Sequence, residues 1–293
     1  MKDATVSFLR EQGVGHTSAL SPILVLRPAA FEAAISRTLE QCETGPLGVD
    51  VEIRIQASVD ESQASNVVAI VPGTDPKLRD EYVLLSAHYD HLGIREDDEG
   101  THVWPGADDN ASGVAGVLEI MRRFAAQPGR RSVMAFFSSG EERAILGSAY
   151  YNSRPLIDIN QIAMQINLDM IGRSDGSVQG VADGSPELFS VASDLARARG
   201  IQMIPDRQAE WRLVYLTDTY HFARAGTPFI FFCTGFHPDF HQSSDTPEKI
   251  RYPEMGRIVD AATDLARHYA DGSEPPHFEC PEWFVTPPAD SKS

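Results

Sequence analysis

Hydrophobic and polar positions change period along the chain. VEIRIQ (51–56) alternates in twos, the spacing of a strand with one covered face. NVVAIV (66–71) and YVLLSAH (82–88) are near-continuous apolar runs bounded by turn-forming residues, which predicts strands covered on both faces. SVMAFFS (132–138), IAMQINL (162–168) and PFIFFC (228–233) repeat that pattern. The spacing between these runs is helical. Asn110–Gln127 places Val114, Val117, Leu118, Met121 and Phe124 on one stripe, and Pro253–Tyr269 aligns Met255, Ile258, Val259, Ala262 and Leu265. Further helices are predicted near 145–152 and over Pro186–Arg199. Strands alternating with helices predict an α/β fold with a central, mostly parallel sheet.

The ends of the chain read differently. Residues 1–50 are mixed, with a short strand at Ile23–Leu26, a helix over Pro28–Gln41 and a Gly- and Pro-containing joint at Glu43–Gly48. Residues 271–293 are rich in Pro and acids and predict an irregular tail. The organisation expected is therefore an N-terminal segment (1–50), a main α/β domain (51–270) and that tail. MKDATVSFLREQG lacks the form of a signal peptide, and no segment has the roughly 18 apolar residues of a membrane span. Cys42, Cys233 and Cys280 form no C-x-x-C pair and read as isolated thiols, with a Cys42–Cys280 bridge left open.

Composition narrows the partners. The 293 residues carry 25 Lys and Arg against 42 Asp and Glu, a net charge of −17. That disfavours nucleic acid or an anionic membrane as the main partner, since both attract a cationic face. Part of the acid excess sits in informative places. His88 and Asp90 lie at the end of one strand, Asp108-Asp109-Asn110 open the next helix, and Glu141-Glu142 follow SVMAFFS. Asp169 follows IAMQINL, and His241 lies in the loop after PFIFFC. In an open α/β sheet, ligands bind outside the carboxyl ends of the strands, so these residues are expected to converge on one rim. Singly, each has a plainer explanation, such as a helix cap for Asp108-Asp109-Asn110 or a solvated loop pair for Glu141-Glu142. Together, clustered carboxylates with imidazoles and no neighbouring cation point to a bound metal. The donor set suits Zn²⁺, with Co²⁺ or Mn²⁺ as substitutes.

SAHYDHLG (86–93), PGADDNASG (105–113), FFSSGEERAILGS (136–148), INLDMIGR (166–173) and FHPDFHQSSDTPEKI (236–250) resemble, in order, the M28 family of zinc aminopeptidases. The resemblance implies a three-layer α/β/α fold around a mixed sheet, of the zinc-peptidase type, with the site at the C-terminal strand ends. It implies two Zn²⁺ per chain held by His88, Asp109, Glu142, Asp169 and His241, with Asp109 shared between them and a cis peptide after it. By the same resemblance Glu141 is the general base toward a water shared by the metals, and Asp90 orients His88. The implied substrates are peptides with a free N-terminus. The implied location is extracytoplasmic if a leader is removed, and cytoplasmic otherwise. The first fifty residues resemble the end of a protease-associated domain, with an N-terminal helix of the catalytic domain as the plain alternative.

Two departures from the family pattern bear on efficiency. Many relatives carry Ser-Asp-His-Tyr where this chain has Thr217-Asp218-Thr219-Tyr220, and many carry Tyr where this chain has Phe240. Phe240 has no hydroxyl to donate to an oxyanion, leaving Tyr215 or Tyr220 as candidates. Phe236 and Phe240 suggest an apolar wall and a preference for hydrophobic N-terminal residues. The alternatives are an M28-like glutaminyl cyclase with a single zinc, and a catalytically weak binding homologue. Retention of both His88 and Asp169 favours two metals and hydrolysis. No H-E-x-x-H, G-x-S-x-G or P-loop motif offers another chemistry.

Overall fold

The computed structural model of the chain describes residues 4–7, 23–26, 28–35, 38–42, 45, 63–97, 100–206 and 213–281. Two compact units divide the chain, Met1–Glu61 and Ser62–Ser293. In the first, β1 (Ala4–Ser7) pairs antiparallel with β2 (Ile23–Leu26), and α1 (Pro28–Ile35) follows. The expected helix to Gln41 is shorter than its apolar spacing suggested. A separate 3₁₀ turn spans Leu39–Gln41, where the Gln41 side chain accepts from the Thr38 N–H and so favours a local turn over a continued helix. The 51–56 strand expectation lies outside the described residues, as do most of the expected joint and the tail beyond 281.

The second unit is built on a seven-stranded mixed sheet. Its strands are β3 (Val67–Val71), β4 (Tyr82–His88), β7 (Ser132–Ser138), β8 (Ile162–Leu168), β9 (Ser177–Val181), β10 (Gln202–Ile204) and β11 (Phe229–Cys233), in the order β10-β9-β11-β8-β4-β7-β3. A separate hairpin, β5 (Gly93–Asp97) with β6 (Gly100–Trp104), stands between β4 and the following helix. The four central strands β7, β4, β8 and β11 are parallel, and β3 and β9 join them antiparallel. Alternation along β4 supplies both faces. Val83, Leu85 and Ala87 pack with Val117, Ile120 and Phe124 of α2 (Gly113–Ala126) and with Ile258, Ala262 and Leu265 of α6 (Tyr252–Asp271). Leu84 packs with Phe136, Tyr151 of α3 (Leu146–Ser153) and Phe222 of α5 (Thr219–Arg224) on the other face. Helices on both faces make the three layers expected of near-continuous apolar strands. α4 (Pro186–Ala198) adds Leu188, Ala192 and Ala196 to the larger core.

Three expectations are corrected. VVAIV forms the sheet edge, with Val67 and Ile70 exposed, because an apolar run reveals strand propensity but not the number of neighbours. On α2, Leu118 is exposed and Ile120 is buried, so the buried stripe runs Val117, Ile120, Met121, Phe124. α2 also begins at Gly113 rather than Asn110, because Asp109 and Asn110 have non-helical dihedrals. Among the described residues no helix is long and apolar enough to cross a membrane. Cys42, Cys233 and Cys280 are free thiols.

Candidate metal centre

Parallel strands end on one side of the sheet, and that side gathers the residues singled out in the sequence. His88 is the last residue of β4, Glu141 and Glu142 follow β7, Asp169 follows β8, and His241 lies in the loop after β11. Asp109 lies at their centre on the turn before α2. Its Oδ1 is 3.2 Å from His88 Nε2, which in turn is 3.4 Å from Asp169 Oδ1. Its other oxygen, Oδ2, is 3.1 Å from His241 Nε2, which is also 3.1 Å from Glu142 Oε2. One carboxylate thus faces two separate groups of donors with its two oxygens. Two ligands at about 2.0–2.1 Å from one tetrahedral ion lie about 3.3 Å apart, the spacing seen here.

Buried groups hold this centre from behind. Asp245 is fully buried, and its Oδ2 accepts from the backbone N–H groups of Asp108 (2.9 Å) and Asp109 (3.1 Å). Asp108 Oδ1 accepts from the Gly172 N–H at 2.6 Å, and its Oδ2 lies 3.1 Å from His237 Nε2. His237 Nδ1 accepts from the Asp239 N–H, so Nε2 carries the proton and donates to Asp108. This dyad ties the loop bearing His241 to the turn bearing Asp109. Asn110 completes the stitching: its amide donates to the Leu168 carbonyl, and its Oδ1 accepts from the Gly113 and Met170 N–H groups. The Asp109–Asn110 peptide is cis. Truncating Asp245 to alanine strands two buried N–H groups behind the site. It is expected to destabilise the metal-free protein by about 2–3 kcal/mol in a urea titration.

Asp90 requires a correction. His88 Nδ1 bonds the Asp90 backbone carbonyl at 3.0 Å, while the Asp90 carboxylate is 3.8 Å away, too far for a hydrogen bond. β4 ends at His88, and two residues further on the strand period does not carry the carboxylate to the ring. The carboxylate instead accepts from the backbone N–H groups of Glu141 (3.2 Å) and Glu142 (3.3 Å). It holds the turn that presents both glutamates, while the Asp90 carbonyl holds His88.

The electrostatics are those of a site arranged around positive charge. Burial pushes the Glu141 carboxyl up to about 9, with the His88 charge opposing and Asp169, Asp218 and Glu142 adding repulsion. Burial likewise raises Asp169. Hydrogen bonds to Asp109 and Glu142 raise His241 to about 10. Burial raises Asp218 to about 6, and Asp218 accepts from the Ser138 hydroxyl behind β7. Asp169 Oδ1, Glu142 Oε1 and both ring nitrogens of His91 are buried with no hydrogen-bond partner. Orphaned donor and acceptor atoms of this kind are costly unless an ion or water engages them. Two clusters within metal-chelating reach result, His88 with Glu141 and Asp169, and His91 with Asp109 and Glu142. The donors present fit one or more divalent cations.

The sequence pattern gives His91, Asp108, His237 and Asp245 no place in the site. For His91 a local signal existed, since it follows His88 by three residues in SAHYDHLG. Of the aromatic candidates, Phe240 stacks on the His241 ring with centroids 3.9 Å apart and meets the Phe236 ring at a tilt, centroids 4.6 Å apart, which braces the loop bearing His241. The Tyr215 and Tyr220 rings meet at a tilt with centroids 5.1 Å apart, and Tyr220 joins Phe240 in one apolar cluster.

The profile of peptidase family M28 matches residues 66–266, most of the chain. The chain belongs to peptidase family M28. "Uncharacterized protein YfbL" of Escherichia coli K12 is 27% identical to it over 237 residues, covering 68% of this chain and 69% of that one. The solved structure of BSAP, described as a zinc aminopeptidase from Bacillus subtilis, superimposes with a TM-score of 0.57 at 22% identity, covering 73% of this chain and 53% of that one. A Bacteroides thetaiotaomicron glutaminyl cyclase superimposes with a TM-score of 0.56 at 20% identity, over 69% and 76% of the two chains. These two likenesses establish the fold. This M28 chain spans about half the length of the solved aminopeptidase it matches.

Proposed function

We propose that this M28 chain is a zinc-dependent aminopeptidase using two Zn²⁺ ions. The observation that carries the reading is Asp109, whose two oxygens face His88 with Asp169 on one side and His241 with Glu142 on the other. His88, Asp109 and Asp169 would hold one ion, and Asp109, Glu142 and His241 the other. When bound, zinc lowers the pKa of water and polarises a carbonyl. Glu141 stands beside this set, its backbone anchored by Asp90 and its side chain half-buried. It takes a proton from the attacking water and returns it to the leaving amine. Phe236 and Phe240 offer an apolar wall to the substrate's first side chain.

Glutaminyl cyclisation around a single zinc uses fewer ligands than this site brings together. Here both His88 and Asp169 are buried and aimed at the Asp109 side of the centre. The test is to purify the chain, measure zinc per chain and assay leucine anilide and N-terminal glutaminyl peptides with and without chelator. About two zinc per chain with chelator-sensitive anilide hydrolysis is expected. One zinc with glutaminyl cyclisation, or hydrolysis indifferent to chelator, would replace this reading.

A further inference from the structure

His91 was assigned no role from sequence, and its placement is not that of a packing residue. It lies three residues beyond His88, just past the end of β4, with its side chain only 9% exposed. Nδ1 is 2.8 Å from Glu142 Oε1 and 3.7 Å from Asp109 Oδ2. The shorter contact lacks hydrogen-bond geometry, for neither Nδ1 nor Glu142 Oε1 has a hydrogen-bond partner. Two buried donor atoms close together but not aimed at each other share the arrangement of ligands around a common cation. The His241 ring lies edge-on at 5.7 Å on the same side of the cluster. Gly106 makes room for the ring. It has φ +63°, and a Cβ there would come within 2.6 Å of His91 Cγ and 2.3 Å of the Asp109 carbonyl.

The geometry points to His91 Nδ1 as a further ligand to the ion held by Asp109, Glu142 and His241, giving that ion four protein ligands. This rests on the metal-centre reading above. The two ions are then unequal. The His91 side has two imidazoles and two carboxylates, and the other side has one imidazole, His88, with Asp109 and Asp169, Glu141 beside them being the group assigned to proton transfer. The four-ligand side is the tighter site and fills first. Catalysis demands an open coordination position, which leaves the His88 side as the more exchangeable and more open one.

The experiment compares wild type, His91→Ala and His91→Gln as metal-free full-length chains, with circular dichroism and melting confirming that each is folded. Each is titrated with Zn²⁺ against a chromophoric chelator, and at one equivalent of zinc its X-ray absorption is recorded. For wild type we expect a tight and a weaker site, with about two imidazoles on the first zinc. His91→Ala is expected to lose more than about 100-fold in affinity at the tight site and one imidazole from its zinc. That loss exceeds the 10–100-fold typical of a side chain that only orients a ligand. The weaker site keeps its affinity, and His91→Gln recovers no imidazole scattering. Unchanged affinities, or a loss within 100-fold with the imidazole count unaltered, overturns the assignment while leaving two metals in place. A wild type that binds one ion, lost in His91→Ala, sustains the His91 assignment and overturns the two-ion reading. A wild type that binds none overturns both.

Discussion

Glutamine at position 141 is expected to lower kcat for aminoacyl-anilide hydrolysis by about 10²–10⁴-fold with bound metal unchanged. The substitution keeps the length and volume of the side chain and leaves the 3.2 Å hydrogen bond from its backbone N–H to Asp90 intact. What it removes is the ability to accept a proton and release it. The carboxyl is suited to that exchange because its surroundings raise it to about 9 when no cation is present, and nearby positive charge draws it back toward neutrality. Glu141 also lies in reach of His88 and Asp169, so a ligand role has to be separated from a proton-transfer role. Counting metal does this. A base lost to glutamine leaves the ions bound and mainly lowers kcat, whereas a lost ligand lowers metal content and activity together. A kcat within about tenfold of wild type would remove Glu141 from the proton-transfer step.

The parts of this site legible in the sequence are those set by local chain direction. Residues placed just after apolar runs fall on one rim because the strands β4, β7, β8 and β11 are parallel, and the rim follows from that alone. The parts not legible depend on pairings between distant segments. Asp245 is one acid in a polar loop until its carboxylate is placed against the N–H groups of Asp108 and Asp109, more than 130 residues away. Asp108 reads as a helix cap, yet its side chain is spent on His237 and Gly172, and α2 begins at Gly113. β9 and β10 are short, and β9 contains Gly180, so neither stands out as an apolar run. A Cβ on Gly180 would come within 2.7 Å of Met203 Sδ, so a larger residue there requires the Met203 side chain to move. Asp90 shows the same limit at short range: it lies two residues past the end of β4, and its carbonyl rather than its carboxylate reaches His88.

Arg131→Ala is expected to cost about 3–5 kcal/mol of folding stability, the largest loss foreseen for any single side chain away from the metal centre. Arg131 immediately precedes β7 and is 1% exposed, the largest of the fully buried side chains. Its Nε donates to Glu81 Oε2 at 2.7 Å, Nη1 to the carbonyls of Tyr269 (2.9 Å) and Gly272 (2.8 Å), and Nη2 to the Ser273 carbonyl (3.1 Å). Its backbone N–H donates to the Ala270 carbonyl at 2.8 Å. The guanidinium therefore terminates α6, satisfying carbonyls that the helix leaves without partners and placing positive charge at the negative end of its dipole. Glu81 is 41% exposed and is rehydrated when its partner goes, so most of the cost comes from the stranded carbonyls and the vacated volume. Arg131→Lys keeps the charge but not the planar fork that reaches three carbonyls and a carboxylate at once, and it should recover less than half of the loss. Urea unfolding of the metal-free protein measures both variants, and a loss below about 1 kcal/mol for alanine would show that the end of α6 is held by other contacts. Glu141 lies beyond the other end of β7, so activity per folded molecule should survive the substitution at low temperature.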